Sequence, residues 1–230
     1  MQRRHFLSHT LVVGWMLGLE SAAGAADRQT PAPRSPSRRA IPKPGPMLPP
    51  VPAIVTSVHG RPGDPDELSV LWTFVVNGDP PQVGIAAGDE HIAGGLITMH
   101  REFVLNVPVA SMIHAFDRID FSSSRVGDKY VLSGLTRGVA VSVKAPTVNE
   151  APIQLECRVS HIVRVPPSRT VFIADVVATS VLEGVCDDEG RLRPSSAAFF
   201  GMMAGCGEFH TMDRKVGHIG QSVGRTDIRY

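Results

Sequence analysis

The chain has 230 residues, with 23 Lys and Arg against 22 Asp and Glu, and a formal charge of +1 at pH 7. So even a balance gives no electrostatic footprint for nucleic acid as a partner. Three cysteines at irregular spacing, Cys157, Cys186 and Cys206, define neither a disulfide framework nor a zinc pattern; an oxidising compartment would permit one bridge and leave one thiol over.

In chain order, the first element is a targeting segment. Residues 1–26 have a basic start at Arg3-Arg4, an apolar run over residues 11–19 and a small-residue exit at Ala23-Gly24-Ala25. The run is shorter than the ~20 apolar residues that a bilayer span needs, and Glu20 ends it. These are the parts of an export signal, so no stable membrane insertion is expected once it is removed. RRHFL resembles the twin-arginine motif of bacterial signals, with Gln2 where Ser or Thr is usual. That route carries folded proteins, which implies a cofactor inserted before delivery to the periplasm or the medium. Residues 27–50 are dense in proline, mildly basic and almost free of large apolar side chains. Such a stretch buries too little surface to offset its chain entropy and reads as an extended linker. Residues 51–230, about 180 of them, suffice for one domain with a substantial core.

Most segments of this domain alternate with period two. Residues 53–59 open the sheet, and residues 67–76 and 82–87 read as strands joined by an Asn77-Gly78 turn that Pro80-Pro81 closes. Residues 91–100 suggest a helix, although Gly94-Gly95 sits in its middle. Residues 103–107 form another strand. Val109, Met112, Ile113 and Phe116 then fall at i, i+3, i+4 and i+7, the stripe of an amphipathic helix. In IQLECRVS, Ile153, Leu155, Cys157 and Val159 share one face, and Gln154, Glu156, Arg158 and Ser160 the other. This predicts a half-buried antiparallel strand with Cys157 as a buried structural thiol. Residues 170–182 are β-branched and apolar on both faces, which predicts a central strand with Asp175 as its awkward polar residue. Many strands, short turns and two or three helices without βα alternation argue for a mainly β, closed antiparallel barrel.

Chemistry-bearing motifs are scarce. There is no nucleotide fingerprint, phosphate loop or nucleophile elbow. The histidines are not spaced as helical metal ligands, so no metal site is expected. Ser122-Ser123-Ser124-Arg125 is a polar loop rich in hydroxyl donors, suited to a phosphate or a ring carbonyl. WTFVVNGDPPQVGIAAG ends its second strand in small residues. Either neighbouring backbone packs close there, or something that is not protein lies against it.

The order of segments resembles the flavin reductase-like family, FMN-binding split barrels that include the flavoredoxins. The matching run begins with ELSVLWTFVVNGDPPQVGIAAG and continues through LITMHREFVLNVP, Asp128-Lys129-Tyr130, Gly134-Leu135, Lys144-Ala145-Pro146, LECRV and VFIADVV to the closing GEFHTMDRKVGHIGQSVGR. The resemblance implies a six-stranded antiparallel Greek-key barrel with a few peripheral helices, usually a homodimer with FMN at the interface. Carried over, the backbone of Ser69, Val70, Leu71, Trp72 and Thr73 faces the isoalloxazine edge. Ala86, Ala87 and Gly88 lie under the ribityl-phosphate tail, and Ser122, Ser123, Ser124 and Lys129 near the ring or phosphate. His91 takes the place of the family's basic phosphate ligand, while Ala93 stands where a hydroxyl is expected. Asp89 and Glu90 add two negative charges there, at about 1 kcal/mol or more per close pair even in high dielectric. Arg169 occupies a position where several relatives carry histidine near the flavin, and suits phosphate, nicotinamide or nothing beyond a strand start. The expected function is that of an exported FMN-binding redox protein, passing electrons or hydride through bound flavin, with no side-chain acid or base required. NAD(P)H or a redox protein is the expected partner. The alternative is a non-catalytic barrel that has lost FMN and binds another ligand or a protein.

Overall fold

The computed structural model describes residues 38–225; the segment expected to be an export signal, residues 1–26, and residues 27–37 of the expected linker lie outside the described residues. The chain divides into Met1–Lys43 and Pro44–Tyr230. Of the first unit, residues 38–43 carry neither helix nor strand. In the second, strands β1 (Val51–Pro52), β2 (Val55–Val58), β3 (Glu67–Val70), β4 (Trp72–Asn77) and β5 (Gln82–Gly88) lead into helix α1 (Ile92–His100) and β6 (Glu102–Val107). Next, after a 3-10 turn at Ala110–Met112, come α2 (Ile113–Phe121), α3 (Lys129–Ser133), β7 (Arg137–Gly138) and β8 (Thr147–Val148). The 13-residue β9 (Ile153–Val165) and β10 (Arg169–Val181) precede β11 (Phe200–Met203) and β12 (Glu208–Thr211).

Seven strands make one antiparallel sheet in the order β3-β2-β6-β9-β10-β5-β4. Its two edge strands are consecutive in the chain and separated by Leu71 alone. On one side of Leu71, Val70 pairs with Val55; on the other, Trp72 pairs with Ala86. The sheet therefore closes on itself through one bent strand, and counted that way the barrel has the six strands expected. Residues 67–76 are not one straight strand, because their two halves serve different neighbours and the ring must turn at Leu71.

The barrel interior is filled by Phe103, Phe172, Ile85, Leu105 and Val58, with Leu96 and Ile97 of α1 packed among them. A second core lies on the outer side of β2 and β3, where Met112, Phe116 and Ile119 cover Val55 and Leu68. Met112 and Phe116 belong to the predicted stripe of the amphipathic helix, and α1 forms despite its glycines because Ala93, Leu96 and Ile97 are buried. The β10 strand is central, as its composition suggests, yet only one of its faces is covered: Phe172 and Ala174 are fully buried, while Val177 and Val181 are 38% and 42% exposed. An apolar run on both faces marks a central strand but cannot say what lies outside the barrel.

On β9 the expected polar face is solvated at Arg158 and Ser160 but not at Glu156. Glu156 is 2% exposed. The segment 139–145 folds over it, and its carboxylate accepts the backbone N–H groups of Val141 (3.0 Å), Ser142 (2.6 Å) and Val143 (3.1 Å). Period two assigns a face; it does not reveal that a loop distant in sequence covers that face. Cys157 is fully buried, and burial, reinforced by the Glu156 charge, pushes its thiol up to about 12. Cys186 is half-buried and Cys206 exposed, and all three are free thiols. In a thiol-labelling time course at pH 8, Cys206 is expected to react first and Cys157 only in denaturant; rapid labelling of native Cys157 would contradict its burial.

Candidate functional site

The bend at Leu71 opens a cleft. Along β5 the side chains alternate, with Val83, Ile85 and Ala87 in the barrel core, so Ala86 points outward, paired to Trp72 of β4 and Val171 of β10. Val70, Leu71, Trp72 and Ala86 form one side of a cleft of about 230 Å³. The opposite side comes from a separate three-stranded sheet in the order β1-β11-β12, which supplies Pro52, Met202 and Phe209. Phe209 is held there by edge-to-face packing on Phe116 (5.5 Å) and Phe200 (5.7 Å). His91, Asp120 and Arg169 provide the polar groups. Burial raises the Asp120 carboxyl above the usual range, His91 pulls it back, Asp117 raises it further and Lys129 lowers it.

His91 is also shared by two neighbouring hollows. One, of about 410 Å³, lies between the loop carrying Arg61 and Asp64, the face of α1 and the Ser124-Arg125 loop. The other, of about 200 Å³, is floored by Ala87, Gly88, Gly94 and Gly95 and edged by Thr98, Arg164 and Thr170. At its rim Arg164 grips Asp89 through both guanidinium nitrogens. These hydrogen bonds hold the Asp89 carboxyl below the usual carboxylate range and raise Arg164 in return. One of the two acidic charges expected to oppose a phosphate is thus already neutralised, by a residue distant in sequence.

Of the residues expected at the site, Val70, Leu71, Trp72, Ala86, His91 and Arg169 come together around the main cleft. Ala87 and Gly88 reach the smallest hollow, and Ser124 the largest. Ser69 and Thr73 are buried: the Ser69 hydroxyl donates to Glu67 (2.8 Å) and that of Thr73 to the Leu71 carbonyl (3.0 Å). Ser122 ends α2 and Ser123 accepts the Arg125 N–H, and neither lines the three openings. Lys129 faces the interior. It is 5% exposed, and its ammonium meets Glu67 (2.9 Å), the Leu68 carbonyl (2.7 Å) and the Ile119 carbonyl (3.2 Å). Placing it near a ring or phosphate is corrected accordingly. A lysine that begins a short helix over an acidic strand residue has an intramolecular partner within reach, which a motif match does not reveal.

The small residues at the end of β5 have two explanations. Ala87 belongs to the core, so protein packing accounts for it, whereas a Cβ on Gly88 would meet only the flexible, exposed carboxylate of Glu90, which can swing aside. Ala86 alone of the three faces the main cleft. Sequence reasoning missed Asp120, Arg164, Met202 and Phe209. Asp120 follows Phe116 by four residues and so shares its helix face, a usable signal; the other three reach the site through long-range pairing that no local pattern announces.

This chain belongs to the flavin reductase like domain family, which matches residues 48–194. The match makes it a flavin-dependent oxidoreductase or electron carrier by family. Among characterised folds it is similar to flavoredoxin of Desulfovibrio vulgaris (Miyazaki F), with TM-score 0.73 and 18% identity, covering 80% of this chain and 97% of that one. It is similar also to a flavoredoxin from Methanosarcina acetivorans (TM-score 0.71, 20% identity, 81% and 100% covered). In sequence it is 29% identical over 133 residues to an uncharacterized protein of Pyrococcus abyssi, covering 56% of this chain and 73% of the other. Met202 and Phe209, which close the cleft, fall beyond the matched family segment.

The residues present fit a flavin. Trp72, Ala86, Met202 and Phe209 give the cleft an apolar lining that suits an aromatic ring, with the His91 imidazole and the Arg169 guanidinium among its polar groups.

Proposed function

We propose that this protein is an exported FMN-binding redox protein of the flavin reductase and flavoredoxin type. The supporting observation is the cleft at the Leu71 bend, where Val70, Leu71, Trp72 and the outward Ala86 meet the apolar side chains of Met202 and Phe209. Bound FMN would supply reversible uptake of hydride or of single electrons. The chain's own residues bind and orient: Val70, Leu71 and Trp72 present backbone along one side, Met202 and Phe209 exclude water from the other, and Arg169 holds positive charge at the opening. No side chain is assigned to a proton transfer. NAD(P)H is scarce outside the cytoplasm, so export favours a redox protein as partner over a freely turning reductase.

A homodimer belongs to the same reading. The outer surface of β4, β10 and β9 carries Trp72 (39% exposed), Phe74 (43%) and Val163 (47%) in adjacent registers, and the Phe74 ring lies over Gly84, whose missing side chain makes room for it. Phe74→Asp is expected to shift the protein from dimer to monomer in analytical ultracentrifugation; an unchanged dimer would place the interface elsewhere.

The primary test is the visible absorption spectrum of the purified protein, with any released chromophore identified after denaturation. Flavin bands and released FMN support the proposal. A protein that stays colourless after incubation with FMN overturns it in favour of a barrel that has lost its flavin, the reading that Ala93 and Glu90 would then explain.

A further inference from the structure

We propose that the phosphate of the bound flavin nucleotide is held by Arg61 and Arg125, in the hollow between the loop following β2 and the loop following α2. The inference rests on the main cleft being the flavin site, and it relocates the phosphate from the start of α1, where the sequence resemblance puts it.

The start of α1 is poorly equipped for a dianion. Ala93 offers no hydroxyl, and His91 at the N-cap makes no side-chain capping bond. Its Nε2 already stands 3.5 Å from the Glu90 carboxylate, so a charged His91 has a competing anion beside it. Arg164 is committed to Asp89 through both nitrogens. The cation nearest the small-residue hollow is therefore in use.

The larger hollow differs on each point. Arg61 and Arg125 line it together with Ser124, and among the described residues neither guanidinium has an ion pair or a side-chain hydrogen bond. A planar guanidinium fork matches phosphate oxygens in pairs. Of the acids that line the hollow, Asp89 is neutralised by Arg164 and Glu67 is paired with Lys129, which leaves Asp64 at the rim. The second, independent observation is Glu67. It is 2% exposed, and its Oε2 is buried without a hydrogen-bond partner, in a side chain that lines this hollow. An unpartnered buried acceptor is costly, and a hydroxyl donor next to it would relieve that cost. A polyol chain ending in a phosphate monoester combines that donor with an anion for the two arginines. His91 lines both the hollow and the main cleft, so the path from ring to phosphate runs past it.

The test compares FMN with riboflavin, which lacks only the phosphate, by quenching of flavin fluorescence on titration with the purified protein. Arg61 and Arg125 are both exposed, so their removal leaves the fold intact, checked by circular dichroism. The protein is expected to bind FMN at least tenfold more tightly than riboflavin, with a preference that weakens as salt rises. Arg61→Ala and Arg125→Ala each lower FMN affinity about tenfold and leave riboflavin unchanged; the double variant binds both equally. An FMN preference that survives in the double variant, or that disappears instead in Arg169→Ala, overturns the assignment while the flavin site stands. Equal affinities in the unsubstituted protein do the same. Binding of neither flavin sinks the reading of the cleft itself, and this assignment with it.

Discussion

Replacing Lys129 with Met is expected to lower the melting temperature by about 6–20 °C while the folded fraction keeps its capacity for flavin. The ammonium of Lys129 is tied to the Glu67 carboxylate at 2.9 Å and to two backbone carbonyls. Both partners are almost fully buried. Taking away one member of such a pair strands the other charge in the interior, at about 3–5 kcal/mol, and a domain of this size shifts by about 2–4 °C per kcal/mol. Glu67 is exposed to the full effect because its second oxygen has no partner and the first would keep only the Ser69 hydroxyl. The double variant Glu67→Gln with Lys129→Met removes both charges and is expected to recover part of the loss. Thermal unfolding and flavin titration together decide the matter. A Lys129→Met protein that melts normally but no longer binds flavin would return this lysine to the cofactor site.

Lys129 also shows where sequence and structure part company. The strands, the Asn77-Gly78 turn and the stripe of Met112 and Phe116 were legible because each is a local pattern with a local cause: alternation for a half-covered strand, i to i+4 spacing for a helix on a core. The barrel was legible in outline for the same reason. The bend at Leu71 was not, since it depends on residues 67–70 and 72–77 pairing with different strands. The burial of Glu156 depends on a segment arriving from residues 139–145, and the second wall of the cleft on Met202 and Phe209 arriving from β11 and β12. At the site, Leu71 and Ala86, carried over by position, line the cleft. Lys129, carried over for its place near the ring or phosphate, instead satisfies neighbours inside the protein. A long or polar side chain has choices that the position of its Cα does not fix.

That distinction selects the substitution with the largest expected effect on function. Ala86→Phe is expected to weaken FMN binding on the order of a hundredfold or more while leaving the fold stable. Bulk at Ala87 or Ser69 would give no clear answer, because both are buried and enlarging either would disturb the core or the Glu67 pair before any ligand was affected. Ala86 differs from them. It is half-buried, points away from the barrel interior and lines the cleft opposite Met202 and Phe209. Phenylalanine is well accepted in strands, and at this position its ring would enter the cleft from the side of Trp72 and Val171. A cleft of about 230 Å³ cannot hold that ring and an isoalloxazine together. Circular dichroism and thermal melting should match the parent protein within the error expected of an outward-facing strand substitution, and the flavin bands should be absent after purification. If Ala86→Phe carries as much FMN as the parent protein, the flavin does not lie in this cleft, and the outward face of β5 is small only to let β4 and β10 pack beside it.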